Sequence, residues 1–454
     1  MTQNIKAKKE ELKEELCKEI DRYYEELSAG LEGRTIKIDD IESMLGETQK
    51  KVVEMVREST GETVTGTEAP TKKECAHCGG DMRRHGKPVE IRIRTLSGEI
   101  KYKRDYYYCR KCGQGKYPRD EELCINGLSH KMTKSLMAET AFYGQSQPSF
   151  ERARLMLRKA LKMDINEETI RQVTETVGEL VFKQDTERAE KTLKNIDKIG
   201  DDGTATSKNA VLYIQIDGAA VNTRVEDENG STWRENKTVL VFRDTDMIRR
   251  KDGGHIITKK EYMPLMGTSE EFKKYVLDAA VRAGYGTISQ VVVIADGAAW
   301  IKTICNEIMP DAIMILDLYH LRENIYTYAK NKFPNAPAKY TAWAESAIKM
   351  VENEEGDKLL ELLPEGEKLP VGCVNLSQYI SNNLDRMKYK TFKEKGYFVG
   401  SGAIESGNKL IVQQRLKQAG MRWSVPGAQS VLSLRAKDES GLWDTCVVPT
   451  VVAA

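Results

Sequence analysis

Four short runs rich in β-branched residues lie between residues 209 and 317, and each ends in an aspartate: AVLYIQID, TVLVFRD, QVVVIAD and AIMILD. Their length and composition predict buried strands. A segment with helical periodicity, residues 269–286, separates two of them. Strands that alternate with helices imply a sheet with parallel members covered by helices. The sequence therefore predicts a multidomain α/β protein whose sheet lies in this region.

The residues before this region predict helices and one hairpin. Periodic apolar residues indicate a helix over 6–31 and a second over about 40–58, which could form a helical hairpin or a dimer seam. The polar stretch 60–74 resembles a linker. Two alternating strands, 88–95 and 99–108, flank a Leu-Ser-Gly turn and predict a hairpin. Residues 130–184 read as several helices, with Asn166 as a cap.

Two cysteine pairs flank the predicted hairpin. They have the form Cys-x-x-Cys, and each is followed by glycine, which lets backbone amides turn toward sulfur. Redox pairs usually come singly at the start of a helix, so that alternative fits poorly. Four thiolates on hairpin ends suit one closed tetrahedral structural Zn²⁺ site. Its expected ligands are Cys75, Cys78, Cys109 and Cys112.

Charge is distributed unevenly along the chain. The net charge is +1, but residues 71–135 contain 16 Lys and Arg against 8 Asp and Glu. A local surplus of this kind suits phosphate binding, although a solvated basic surface would have the same composition. No stretch approaches the roughly 18 apolar residues of a spanning helix, and the charged start lacks a signal-peptide core. These features predict a cytoplasmic protein without membrane association.

Three of the strand-end acids are candidates for metal chemistry. Asp217, Asp296 and Asp317 should converge on the carboxyl edge of the sheet, where open α/β folds place ligands. A single strand-end aspartate is more often a cap or a turn residue. Glycine follows Asp217 and Asp296, which would leave room for a metal and a phosphate. Clustered carboxylates that hold two divalent ions support phosphodiester cleavage. A glycosidase also uses paired acids, but it would not explain the cysteine pairs and basic segments.

Four sequence blocks together resemble insertion-sequence transposases of the ISKra family, within the Mutator-like group: QIDGAAV, VIADGAAWI, LDLYHLREN and VGSGAIESGNKLIVQQRLKQAGMRW. The similarity runs from the cysteine pairs to about residue 436. It implies an RNase H-like catalytic domain with an Asp-Asp-Glu triad. Asp217, Asp296 and Glu405 match the triad, and would bind two Mg²⁺ (or Mn²⁺) ions. Asp317-x-x-His320 matches an accessory motif.

Asp296 is preferred to Asp317 as the second acid on geometric grounds. In an RNase H-like sheet the first and fourth strands are neighbours, and the fifth lies one strand further out. Adjacent strands are about 4.8 Å apart, so Asp317 would lie roughly 10 Å from Asp217. Asp317 can instead cap the helix that follows it. His320 is either functional or simply packed.

Glu405 has two interpretations. If Gly402 caps its helix, Glu405 is a third-position acid that gains only about 0.3–1 kcal/mol from the helix dipole. The Gly-Ser-Gly turn before it leaves open space, however, and two other acids lack a third ligand. We therefore predict that Glu405 is a metal ligand. Nearby basic residues are predicted to contact the DNA backbone: Lys409, Arg415, Lys417 and Arg422.

These features combine into one functional expectation. The protein would be a DNA transposase that binds element ends and target double-stranded DNA as a homo-oligomer, in a prokaryotic, nucleoid-associated setting. The alternatives are a non-enzymatic zinc-ribbon regulator and an RNase H-like nuclease without strand transfer. The expected organisation is a helical N-terminal region (1–70), a zinc ribbon (71–128), a helical DNA-binding region that could contain a helix-turn-helix (129–200), and an RNase H-like mixed sheet (205–437) with a helical insertion at about 321–396.

Overall fold

The computed structural model describes residues 2–66, 73–200, 207–251, 254–364 and 374–453. The chain divides into two compact units. Met1–Thr140 and Arg154–Thr169 form the first unit, and Ala141–Ala153 and Ile170–Ala454 form the second. The expected boundaries near residues 70 and 128 both fall within the first unit. Much of the predicted linker, residues 67–72, and most of the predicted interruption at 363–372 lie outside the described residues.

The first unit contains two long helices followed by a small antiparallel sheet with strand order β1-β2-β3-β4. The predicted hairpin is confirmed, and its two long strands, β2 and β3, pair from Met82 opposite Cys109 to Thr95 opposite Gly98. The elements are α1 (Thr2–Glu32), α2 (Ile38–Gly66), β1 (Lys73–Glu74), β2 (Asp81–Thr95), β3 (Gly98–Cys109), β4 (Gly115–Lys116) and α3 (Pro118–Glu122).

Helix α2 is longer than the sequence predicts, because its last turns contact β3. A Cβ atom at Gly61 would lie 2.1 Å from the carbonyl oxygen of Lys101, so helix and strand backbones meet closely there. The N–H of Lys103 also donates to the hydroxyl of Thr65. These tertiary contacts stabilise a helical turn in a segment whose composition favours a linker.

Three helices follow the small sheet in the sequence and precede the large one: α4 (Lys134–Ser146), α5 (Phe150–Leu161) and α6 (Glu167–Lys194). The predicted cap at Asn166 is present, since its side-chain oxygen accepts a hydrogen bond from the N–H of Thr169.

The second unit is built on a five-stranded mixed sheet with strand order β11-β10-β5-β6-β9, which confirms the predicted α/β class. Strands β5, β10 and β11 are parallel, whereas β6 and β9 run antiparallel to their neighbours. The elements are β5 (Ser207–Asn222), β6 (Trp233–Arg243), β7 (Met247–Arg249), β8 (His255–Ile257), β9 (Glu261–Leu265), α7 (Ser269–Arg282), β10 (Ile288–Ala295), α8 (Ala299–Ile308) and β11 (Ile313–Leu316).

Strand β9 was not predicted from the sequence. It is short and contains Pro264, which cannot donate to a strand ladder and is tolerated at a sheet edge. The structure places β9 at that edge, beside β6.

The described residues after β11 are mostly helical, as predicted for residues 318–395. They also have π-helical turns at Lys409–Gln413 and Trp443–Val447. The α-helices are α9 (Leu318–Lys332), α10 (Pro337–Glu352), α11 (Gly356–Glu361), α12 (Leu376–Ser381), α13 (Tyr389–Glu394), α14 (Gly402–Asn408), α15 (Gln414–Leu416), α16 (Val425–Glu439) and α17 (Val448–Ala453).

The five-stranded sheet is buried on both faces, as sheets with parallel members usually are. Alternate residues of β10 point to opposite sides: Val292 joins the core that includes Leu321 of α9 and Val431 of α16. Val293 joins the core that includes Phe272 of α7 and Ile301 of α8. Within the described ranges, no helix is both long enough and apolar enough to cross a membrane.

Candidate metal centres

Three aspartates form a row at one edge of the large sheet. Ala295 of β10 is in register with Ile216 of β5 on one side and with Leu316 of β11 on the other. The residue that follows each of these three in the chain is an aspartate, so Asp296 lies between Asp217 and Asp317. Adjacent strands are about 4.8 Å apart, which sets the spacing of this row.

Asp217 does not end its strand, contrary to the sequence prediction. The parallel pairing of β5 with β10 stops at Ile216, but β5 continues to Asn222 in antiparallel pairing with β6. The Asp217 carboxylate accepts hydrogen bonds from the side-chain N–H of Asn408 and from the N–H of Gly218, both at 2.8 Å. Burial raises the pKa of Asp217 above its ordinary value, although these donors act in the opposite direction. The neighbouring charges of Asp296 and His320 also act on it.

Asp317, His320 and Glu405 form a close group at this edge. One ligand atom from each side chain lies within 4.8 Å of the other two. Within the described residues, Asp217 and Asp296 are not members of this three-residue group. The structure thus groups Glu405 with the predicted accessory pair, and among the described residues Asp217, Asp296 and Glu405 do not form a group of this kind.

Asp317 also has the predicted capping role. It is fully buried, and one carboxylate oxygen accepts the N–H groups of Tyr319 and His320 at the start of α9. Its other oxygen accepts the N–H of Ser401 at 2.5 Å. Asp317 therefore caps α9 and also lies near Glu405. The capping role and the functional role that were considered from the sequence do not exclude each other.

Helix α14, which carries Glu405, is held against the sheet by polar side chains. Gln215 of β5 accepts the N–H of Ile404 and donates to the carbonyl oxygen of Gly400. The helix begins one residue earlier than predicted, with Ser401 rather than Gly402 as the cap residue. Glu405 is half-buried, and its carboxylate accepts no hydrogen bond from any residue that the structure describes.

The glycines near the acids differ in what surrounds them. A Cβ atom at Gly400 or Gly402 would meet nothing within 4 Å, so the predicted open space before Glu405 is present. At Gly297 it would lie 2.2 Å from the ring of Tyr379, and at Gly218 2.5 Å from the Glu235 carboxylate. The prediction that these two glycines leave room for a ligand is therefore wrong, because protein side chains fill the space.

Sequence reasoning missed several residues that support the site. Arg386 is buried and donates to the carbonyl oxygens of Ala295 and Asp296, at 3.3 and 3.1 Å. No sequence pattern marks it among the helices. Asn408 could have been found, because it lies three residues after Glu405 and so shares its helix face.

Arg415 was predicted to contact DNA, and the structure contradicts this. Its side chain is only 1% exposed. The guanidinium carbon lies 4.4 Å from the centre of the Phe150 ring and 4.9 Å from that of Trp423. It donates to the carbonyl oxygens of Gly144 and Pro148. These contacts make Arg415 a core residue that phosphate cannot reach.

The other three predicted basic contacts, Lys409, Lys417 and Arg422, are exposed. The ammonium group of Lys417 lies 6.0 Å from the centre of the Trp233 ring, which is 52% exposed. Arg224 donates to the carbonyl oxygen of Arg422 and is exposed as well. An aromatic ring and basic side chains thus share one surface of the second unit.

The four paired cysteines form the second centre, in the first unit. The sulfur atoms of Cys75 and Cys112 are 3.5 Å apart, and those of Cys78 and Cys109 are 3.6 Å apart. Two thiolates on a tetrahedral zinc would be separated by about 3.8 Å. A hydrogen bond from the backbone N–H of Cys112 lowers the pKa of the Cys109 thiol to about 7. This cluster can hold a structural metal such as zinc.

The fold and its two clusters define a mixed α/β protein with two candidate metal centres. The chain belongs to UPF0236, an uncharacterised protein family, whose model matches residues 85–445.

Relatives in this family come from several bacterial loci. A UPF0236 protein of Caldanaerobacter subterraneus subsp. tengcongensis, whose name joins eleven locus designations, is 24% identical over 366 residues, covering 77% of this chain and 68% of its own length. Another from that organism, with four designations, is 24% identical over 357 residues, with the same coverage. A UPF0236 protein named for the 3′ region of vanSb in Streptococcus gallolyticus is 22% identical over 362 residues, covering 78% of this chain and 73% of its own length.

Proposed function

We propose that this protein is a DNA transposase, which binds the ends of an insertion sequence and catalyses metal-dependent strand cleavage followed by strand transfer. One observation carries the proposal: five side chains able to bind a divalent metal ion converge at the carboxyl edge of three neighbouring parallel strands. They are Asp217, Asp296, Asp317, His320 and Glu405.

The order of strands supports an RNase H-like catalytic domain. Such a sheet places its first and fourth strands side by side and its fifth strand one position further out. Counted along the chain, the first, fourth and fifth strands of the large sheet are β5, β10 and β11, and they have this arrangement. The ISKra resemblance stays a prediction, because a shared strand order does not distinguish one transposase family from another.

The residues at the sheet edge suit phosphodiester chemistry. Bound divalent ions would supply Lewis-acid activation of the attacking oxygen and charge stabilisation of the leaving one. Asp217, Asp296 and Glu405 would hold these ions. Asp317 fixes the start of α9 and the turn before α14. Arg386 holds the backbone carbonyl of Asp296 and so keeps the middle of the row in place.

Two surfaces support DNA as the substrate. In the first unit, exposed Arg92, Lys101 and Lys103 lie on one face of the β2–β3 hairpin, where Arg92 is opposite Lys101. In the second unit, Lys417 and Trp233 offer a cation and a ring on which a base can stack. Phosphate contacts of this kind position a nucleic acid without reading its sequence.

The naming of the relatives supports a mobile element. A protein whose name joins eleven locus designations in one organism is what repeated copying of an element would produce. For this chain, mobility itself is part of the proposal.

The test is cleavage of DNA that carries the terminal repeats flanking the gene. Glu405→Gln keeps the length and hydrogen-bonding capacity of the side chain but removes its charge. We expect almost no cleavage in Mg²⁺, with DNA binding and melting temperature retained. Glu345→Gln on α10 is the matched control, since Glu345 is exposed and outside the site, and it should cleave normally.

The outcomes separate the alternatives. An active Glu405→Gln protein would make Glu405 an ordinary first-turn acid. Wild-type protein that binds the repeats but never cleaves them would be a regulator. Cleavage without joined products would indicate a nuclease.

A further inference from the structure

We propose that Asp317, His320 and Glu405 form a cation site that selects a first-row transition-metal ion, such as Mn²⁺, over Mg²⁺, with the imidazole of His320 as a nitrogen ligand. The site's part in DNA cleavage rests on the proposed function. The binding of the ion does not, and it can be measured without DNA.

The three ligand atoms come from separate elements that converge. Asp317 precedes α9, His320 lies in the first turn of α9, and Glu405 lies on α14. Each offers an atom within 4.8 Å of the other two, which is close enough for one ion to contact all three. One imidazole nitrogen and two carboxylate oxygens are thus available at a single point.

The imidazole of His320 lies beside a carboxylate. Its Nδ1 atom lies 3.4 Å from a carboxylate oxygen of Glu323, one turn further along α9. Metal-binding histidines usually donate their second ring N–H to such a carboxylate, which fixes the tautomer and makes the free nitrogen a better ligand. A proton on Nδ1 would be shared with Glu323 in this way and would leave Nε2 for the metal.

The two carboxylates are suited to their positions. Asp317 is immobile, since three backbone N–H groups hold its two oxygens. The oxygen that accepts only the N–H of Ser401 can still offer a lone pair to a metal ion. Glu405 is half-buried and unbound by any described residue, and the open space at Gly400 and Gly402 leaves room beside it. One ligand is therefore fixed and one can adjust to the ion.

Ligand chemistry then decides which ion is preferred. Mg²⁺ takes oxygen ligands at near-ideal octahedral geometry and keeps several waters, so an imidazole gives it little. First-row transition metals gain more from nitrogen, increasingly so along the series from Mn²⁺. A site with one imidazole and two carboxylates should therefore favour the transition-metal ion.

The test uses the full chain with its cysteine cluster loaded with zinc, titrated with Mn²⁺ and followed by electron paramagnetic resonance. Mn²⁺ is a useful probe because soft thiolates bind it poorly. We expect Mn²⁺ to bind at least about tenfold more tightly than competing Mg²⁺. Pulsed measurements should detect the nuclear spin of a directly bound imidazole nitrogen.

Two variants and one control make the result specific. His320→Asn should remove the nitrogen signal, whereas His255→Asn should keep it, because His255 is exposed on β8 in the same unit. Glu323→Gln should keep the signal but weaken Mn²⁺ binding by about 10–100-fold. A merely structural role of His320 would not produce a nitrogen coupling.

Other outcomes overturn the inference. A wild-type protein without nitrogen coupling, or with coupling that survives His320→Asn, would show that His320 is not a ligand. Equal affinity for Mn²⁺ and Mg²⁺ would show that the site does not select the transition-metal ion. DNA cleavage by such a protein would leave the proposed function intact, whereas His320-dependent Mn²⁺ binding without any cleavage would leave only the metal site.

Discussion

Asp217 and Arg415 are both charged side chains withdrawn from solvent, and their partners differ. Arg415 is surrounded by two aromatic rings and backbone carbonyl groups, so its guanidinium group stabilises the core of the second unit. Asp217 sits in a row of acids with one side-chain amide and one backbone N–H as donors. A desolvated carboxylate with so few donors lowers stability, and such residues are typical of functional sites.

Asp217→Asn should therefore stabilise the protein when no divalent ion is added. Burial raises the folded-state pKa of Asp217 above its unfolded value, so the wild-type protein loses stability as pH rises through the interval between them. The variant lacks this loss. We expect it to be about 1 kcal/mol more stable at neutral pH, and the difference to shrink as pH falls through the raised pKa. Urea unfolding across a pH series measures both.

Asp227→Asn is a control for which we expect the opposite change in stability. Hydrogen bonds from the backbone N–H groups of Ser231 and Asn229 lower the pKa of Asp227. Its contribution to stability is thus present at neutral pH and is lost as pH falls through the lowered pKa. This variant should be less stable than wild type at neutral pH. If Asp217→Asn behaves in the same way, burial of the Asp217 charge is not the dominant effect.

Whether the position of a residue could be predicted from the sequence depends on whether the residues that determine it are close in sequence. The row of aspartates follows from strand ends and parallel pairing, which short apolar runs reveal. The burial of Arg415 depends on Phe150 and Trp423, which are distant in sequence, so its position among basic residues misled the prediction. The contact of Glu405 with Asp317 and His320 depends on how Gln215 and Ser401 hold α14. No spacing in the sequence encodes that contact.

Among the elements, the cysteine end of the β2–β3 hairpin is the one that we expect to depend most on a bound metal. Few apolar side chains are buried around its cysteines, chiefly Met82 and Tyr107. The far end of the hairpin has its own cluster of Ile91, Ile93 and Tyr102, but the few residues at the cysteine end are too small a core to offset the loss of chain entropy there. A metal held by four thiolates can, since structural zinc contributes about 10–16 kcal/mol in small zinc-dependent modules. The hairpin could be predicted from its alternation and turn, whereas the expected dependence of its cysteine end on metal follows from this small core.

Cys75→Ser should release one zinc ion per chain and unfold the hairpin, while the second unit keeps its structure. The second unit has separate cores on both faces of its own sheet, none of which contains the paired cysteines. Elemental analysis would report the zinc, and limited proteolysis would report the hairpin. Cys124→Ser is the matched control, because Cys124 is exposed and lies outside the cluster, so its zinc content should stay normal. A Cys75→Ser protein that retains zinc and a protected hairpin would contradict this role.

Over the whole molecule, positive charge is concentrated in one segment. Residues 71–135 have a surplus of 8 positive charges, and the total of +1 leaves −7 for the remaining sequence. The small net charge is therefore the sum of a basic segment and an acidic remainder of the sequence. Such a distribution should orient the protein on a polyanion, because the basic segment is attracted and the rest is repelled.

Removing two of these charges should change how DNA binding depends on salt. Lys101→Ala with Lys103→Ala, on one exposed face of β3, should weaken binding to all sequences alike and reduce the salt slope by about 2. The double variant Lys339→Ala with Lys349→Ala, on exposed positions of α10, is the matched control and should leave the slope unchanged. Titration of DNA binding at several salt concentrations measures the slope. Equal slopes in the two double variants would exclude this face of the hairpin as a phosphate contact.

The hydrogen bond from Ser401 to Asp317 joins residues 84 positions apart. The chain leaves the sheet at Asp317 and returns to the same carboxylate at Ser401, so this hydrogen bond closes the helical segment between them. It also imposes an order during synthesis. A nascent chain acquires its basic segment and its row of aspartates well before Glu405, and domains generally fold as they emerge. If the proposed chemistry is correct, an unfinished chain can hold DNA but cannot cut it.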